Sequence, residues 1–283
     1  MIHEHVGLPD GGLVLFGAIV LAIGYDVLAA RVGGWPWWRT MLFLGGCTLL
    51  VAAFLPGGGG FREHMARHLV IGMVAPLGLV LGAPVTLLLR GLPRGGARRL
   101  GRLVHGLRPV AHPVVALGLN LGGMALLYFT PFYGWAAGHP GVHLAVQVHF
   151  LLAGYLFTWV VAGPDPAPRR ISVPARLVVL GVAVAFHATV SQLMYAGVGV
   201  DLPVPVTDRQ AGATLMYYGG DIGELLVAVA LVSGWRPRRA ARKREPRIAT
   251  HGGWAQVSTR RAIAAAQDGR PEVTVGVTAS GPR

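Results

Sequence analysis

Long apolar runs separated by short polar stretches set the plan of this chain. Runs of roughly 18 to 24 residues, long enough to cross a bilayer as a helix, fall near 13–30, 40–55, 66–89, 112–129, 143–162, 174–196 and 212–234. The pattern predicts an all-α, polytopic membrane protein with seven transmembrane helices. The second run is short. The third contains Pro76 and Pro84, which predicts a kink, because proline cannot donate to the preceding turn. The boundaries divide the chain into an N-terminal segment over 1–12, a seven-helix domain over 13–235 and a tail over 236–283. That tail is basic at first and then polar, rich in Ala, Gly, Thr and Arg, and is expected to be disordered. Met1-Ile2-His3-Glu4-His5 lacks the basic start of a cleavable signal, so the first run reads as a retained span. Neither a 20 to 50 residue repeat nor the inverted symmetry common in transporters is evident.

Composition sharpens the class. With 53% hydrophobic residues, 13% charged residues and a mean hydropathy of +0.54, the chain is too apolar for a soluble domain of 283 residues. Its single cysteine, Cys47, excludes a disulfide framework and a paired-cysteine metal clip. Any metal must be held by histidine, methionine, carboxylate or backbone.

The net charge of +13 is distributed as a topology signal. Arg31 and Arg39 follow the first run. Arg90, Arg94, Arg98, Arg99, Arg102 and Arg108 follow the third, and Arg169, Arg170 and Arg176 follow the fifth. The alternate loops are nearly bare: residues 130–142 carry no Lys or Arg, and Arg62 and Arg209 stand beside Glu63, Asp201 and Asp208. The positive-inside rule then puts the N-terminus outside and the C-terminus in the cytoplasm. The basic loops face anionic lipid headgroups. Division of the arginines among separate loops, without interleaved aromatics, argues against nucleic acid.

Candidate chemistry lies in the histidines. An imidazole inside a span is costly, so it points to a metal, proton or haem site before it points to packing. With that orientation and a rise of about 1.5 Å per residue, His64 and His143 lie at the outer mouth, and His68 and His149 both lie about 9 Å below it. His187 falls near the middle of the sixth span. His64 and His68 share a helix face at i, i+4, and Met65 adds a soft thioether, a donor set that can hold one metal ion. Met194 and Met216 flank the same region. Tyr217, Asp221 and Glu224 form a one-sided stripe on the seventh span that can compensate charge. Met41, Met73 and Met124 read as ordinary packing, and His3, His5, His105, His112 and His251 as solvated. These residues predict one polar, outward-opening pocket shared by four spans.

The motifs resemble a known family. His64-Met65-Ala66-Arg67-His68-Leu69, continuing through Ala75-Pro76-Leu77 to Leu81-Gly82-Ala83-Pro84, is similar to the signature of the polytopic CtaG-type cytochrome c oxidase assembly factors. His149-Phe150-Leu151-Leu152-Ala153-Gly154, Gly163-Pro164-Asp165-Pro166, Phe186-His187-Ala188 and Asp208-Arg209-Gln210-Ala211-Gly212 follow in matching order. The chain departs from the family pattern in two places: the pattern usually carries Gln where Arg209 stands, and Trp near Tyr217.

The resemblance covers roughly 10–235. It implies a non-enzymatic protein of the bacterial plasma membrane that helps deliver copper to subunit I of a haem-copper oxidase, with that subunit and other assembly factors as partners. The metal ligands are then expected among His64, Met65, His68, His143, His149 and His187. Two alternatives stay open: a redox protein with haem between paired histidines, and a proton-coupled transporter using His187, Asp221 and Glu224.

Overall fold

The computed structural model describes residues 8–55, 59–168, 170–200 and 202–234. The predicted tail at 236–283 and the first seven residues lie outside them. Among the described residues, 81% are helical and none lies in a strand. The described residues form eleven α-helices, α1 (Leu8–Arg31), α2 (Trp37–Ala53), α3 (Phe61–Leu69), α4 (Ala75–Leu81), α5 (Pro84–Gly91), α6 (Arg94–Gly106), α7 (Pro113–Phe129), α8 (Phe132–Ala137), α9 (Pro140–Val161), α10 (Val173–Ala196) and α11 (Val206–Ser233). A π-helical turn, Val70–Val74, joins α3 to α4.

Among the described residues, five segments are long and apolar enough to cross a membrane: Val14–Arg31, Phe61–Gly91, Pro140–Val161, Val173–Ala196 and Val206–Ser233. Trp37–Ala53 and Pro113–Phe129 are apolar but shorter, at 17 residues each. The outer surface of the bundle is apolar as well, with Phe16, Ile23, Leu152, Val178, Ile222 and Leu225 all exposed. Such a surface suits a lipid solvent, where apolar side chains need no cover.

The third run departs most from a simple span. It starts earlier than expected, at Phe61, and is broken twice. The π turn comes first, and the Ala75 N–H bonds back to the Val70 carbonyl, five residues away. Pro76 follows, with no N–H to close an ordinary turn on Gly72. The second break is at Ala83, which adopts the left-handed conformation at φ 53 before Pro84.

Several backbone groups freed at that break find partners elsewhere in the fold. The Tyr25 hydroxyl donates to the Gly82 carbonyl at 2.7 Å. Val85 N–H and Thr86 N–H donate to the two carboxylate oxygens of Asp165 at 3.0 and 2.7 Å, and the Thr86 hydroxyl adds a third bond at 2.6 Å. Asp165 thus caps α5 from a loop some eighty residues away. Arg170 holds that loop in turn, donating to the carbonyls of Gly163 and Asp165.

Two elements sit where loops were expected. The basic stretch after the third run folds as α6, and the bare stretch between the fourth and fifth runs contains α8. Three apolar clusters hold the long helices together. One, around Phe61, Met65, Tyr128, Phe150, Met194 and Met216, joins α3, α7, α9, α10 and α11 at the end where α3 begins. A second, around Leu77, Phe157, Leu180, Val227 and Leu231, joins α4, α9, α10 and α11 nearer the opposite end. The third packs α1 and α2 against the central segment through Tyr25, Phe43, Leu50 and Leu79.

Candidate functional site

The first two clusters meet around a small cavity with a few polar groups in a mostly apolar lining. Its volume is about 40 Å³, and His68, Met73, Asn120, Met124, His187 and Glu224 are among its walls. His187 Nδ1 lies 3.5 Å from Glu224 Oε1, and both side chains are buried. Glu224 Oε2 is buried with no hydrogen-bond partner. A buried carboxylate oxygen without a donor is costly, so its position calls for an occupant that can satisfy it. The close approach of α10 to α11 here depends on Gly220, where an added Cβ would overlap the His187 ring.

Toward the start of α3 lies a larger outer cavity of about 330 Å³, bordered by Glu63, His64, Arg67, Tyr133 and His143. His64 and His143 face each other with ring centroids 6.1 Å apart. Glu63 and Arg67 form an ion pair at 2.6 Å, while Glu63 also accepts from the Gly59 N–H and Arg67 donates to the Leu55 carbonyl. A narrow space of about 20 Å³ lies between the two levels: His64, Arg67 and His143 border both it and the outer cavity, while His68 and Phe150 border both it and the inner one. Phe150 stands edge-on to the His68 ring with centroids 4.4 Å apart.

Two tyrosines absent from the sequence reading organise the mouth. The Tyr128 hydroxyl lies 3.4 Å from His64 Nε2 and 3.8 Å from the Met65 sulfur. Tyr133 sets its ring edge against His64 at 5.2 Å. Burial and the Asp208 carboxylate push the Tyr133 phenol up to about 12, so it stays protonated at neutral pH. Their spacing gave no hint of this role, because both come from the far end of α7 and the α8 corner.

Of the expected site residues, His64, His68, His143, His187 and Glu224 line this string of cavities. His149 does not join them. Its Nε2 bonds to the Leu119 carbonyl at 3.2 Å, in a groove between α7 and α9. Neighbouring helical residues point about 100° apart, and Phe150 is the one turned toward His68. Met65, Met194 and Met216 are fully buried in the first apolar cluster, so their immediate role is packing. Met124 packs in the same cluster as expected, and it and Met73, which packs against Gly223, also border the inner cavity. Tyr217 lines a separate groove with Ser191 and Gln192, and Asp221 is half-buried beyond the residues that line the three cavities. Among the described residues, no three His, Cys, Asp or Glu side chains stand together as one metal site.

Asp208 is structural as well as local to the mouth. It accepts from the N–H groups of Phe61 at 2.6 Å and Arg62 at 3.2 Å, capping α3 from the first turn of α11. Asp208→Ala is expected to destabilise the protein by about 1 kcal/mol, measured as a lower thermal midpoint in detergent, with Asp208→Asn recovering much of the loss. Arg209, the next residue, packs its guanidinium against Gly197 at the end of α10, where φ is +76. A cation suits that helix end.

An all-helical bundle with an apolar exterior and several helices long enough to cross a bilayer defines a multi-pass membrane protein. The model of the cytochrome c oxidase caa3 assembly factor family matches residues 19–238, and the chain belongs to that family. Uncharacterized proteins of Mycobacterium bovis and Mycobacterium tuberculosis are each 34% identical to it over 270 residues, covering 83% of this chain and 40% of theirs. One from Mycobacterium leprae is 33% identical over 248 residues, covering 77% and 38%. The chain thus spans about two fifths of the length of these curated relatives. No solved structure matches it.

Proposed function

We propose that this assembly factor carries copper as its cargo, taking it in at the outer cavity and holding it beside His187 and Glu224 for transfer to subunit I of a haem-copper oxidase. The observation that carries this reading is the continuous lining: His64 and His143 at the mouth, His68 at the junction, then His187 and Glu224. Ring centroids 6.1 Å apart suit an ion bound about 2.0 Å from a nitrogen of each imidazole. Imidazole suits either copper oxidation state, and the thioethers of Met73 and Met124 at the inner cavity favour the reduced one. Sites with few ligands at successive levels hold an ion without trapping it, as delivery requires.

Seven crossings fit the same reading. The two 17-residue helices would each span about 26 Å, close to the hydrocarbon thickness. The arginine-rich end then faces the cytoplasm and the mouth faces outward in the bacterial plasma membrane. Other assembly factors are the expected partners beside subunit I, and no catalytic step is assigned to the chain.

Haem is the weaker reading, because the inner cavity of about 40 Å³ between His68 and His187 holds an ion or a few waters and not a tetrapyrrole. The test uses purified full-length chain loaded with Cu(I) and washed. Wild type is expected to retain copper, and the His68→Ala, His187→Ala double variant to lose at least tenfold in affinity. His149→Ala is expected to behave as wild type. Equal retention by wild type and the double variant sinks the assignment, and a Soret band in the purified protein revives haem.

A further inference from the structure

The end opposite the mouth carries a second feature. Arg39 and Arg90 set their guanidinium carbons 5.1 and 5.6 Å from the Trp35 ring centre, and Arg39 also lies 5.2 Å from Trp38. Tyr25 fixes the indole, accepting from Trp35 Nε1 at 3.1 Å. Stacked guanidiniums keep their N–H edges free for an oxyanion. Arg39 Nε is buried without a partner. The arginine ion pair found among the described residues is Arg67 with Glu63, at the other end.

Four residues beyond Arg90, α6 extends the same surface. Leu100, Leu103, Val104 and Leu107 follow i, i+3, i+4, i+7 spacing on one face, and Arg94, Arg98 and Arg102 occupy the other. Val104 packs against a fourth buried cluster, of Val80, Ala111, Trp159 and Val160, and anchors one edge. Leu103 is nevertheless 70% exposed and Leu107 47%. Nearby, Trp37 is 75% exposed. An apolar helix face flanked by arginines suits the boundary between acyl chains and headgroups.

We infer that Arg39 and Arg90 against Trp35, extended by α6 lying in the membrane plane, form a binding site for the phosphate headgroup of an anionic phospholipid. The guanidiniums supply the charge and bidentate donors, and the leucine face of α6 enters the acyl boundary. This role is independent of whether copper is handled.

Native mass spectrometry of the full chain, offered equimolar phosphatidylglycerol and phosphatidylcholine, tests it. Wild type is expected to retain phosphatidylglycerol preferentially, with the preference falling as salt rises. Each arginine neutralised in Arg39→Gln and Arg90→Gln should weaken that preference about fivefold, with an unchanged thermal midpoint. Arg39→Lys is expected to keep part of it. Equal retention of both lipids by wild type, or an unchanged preference in the double variant, overturns the site. Cys47 is buried, so a Leu103→Cys thiol reports on α6 alone. In vesicles of the same lipids it should resist an aqueous maleimide. Full labelling, or shielding that arises only when another protein is added, overturns the in-plane placement.

Discussion

Gly154→Ala is expected to lower stability by about 3 kcal/mol or to prevent folding. A Cβ at this position would overlap the Gly72 carbonyl oxygen, inside the π turn. Neither side can yield easily. Gly72 is held by a turn whose geometry is set by Pro76, and Gly154 lies in the middle of a 22-residue helix. The methyl would therefore part α9 from the central segment, and with it Phe150 from His68. Thermal unfolding in detergent measures the effect, and Gly122→Ala is the control, since a Cβ there meets open space. A midpoint for Gly154→Ala equal to that of the control would show that the two backbones are not in contact.

The next largest effect is expected at Asp165. Asp165→Ala removes the acceptor for two backbone N–H groups and one hydroxyl, at a position that is fully buried. Leaving such donors unpaired costs about 3 kcal/mol beyond what water can recover. Asp165→Asn keeps one acceptor oxygen and should lose about a third of that. Hydrogen exchange locates the damage: α5 is expected to lose protection first, because its N-terminus has no other cap. Uniform loss across the bundle would argue instead that Asp165 supports the whole arginine-rich end.

Both residues belong to stretches that the sequence marks as motifs, yet neither was legible as structural. Asp165 in Gly163-Pro164-Asp165-Pro166 reads as a loop residue, and its partners are about eighty positions away. The same holds for Asp208, whose partner is the start of α3. A cap supplied across the fold leaves no local spacing to read. His149 failed for a different reason. Depth follows from rise per residue, and by that measure it matches His68, but facing follows from rotation. Seven residues separate His143 from Phe150, nearly two full turns, so those two share a face and His149 does not. Met73 borders the inner cavity as well as packing against Gly223, because the π turn changes the rotation between it and His68.

Sequence by itself determined that this chain is an apolar helical protein, where its long apolar segments fall, and which end carries the arginines. Those properties depend on local composition and on the length a helix needs in lipid. Tertiary structure alone decided which polar side chains share a cavity. That choice depends on helix rotation, on a π turn before Pro76, and on glycines that let Gly220 approach His187 and Gly154 approach Gly72. None of these is a property of one segment. They follow from how backbones of distant segments satisfy each other's hydrogen bonds and close-packing where no water is present to do so.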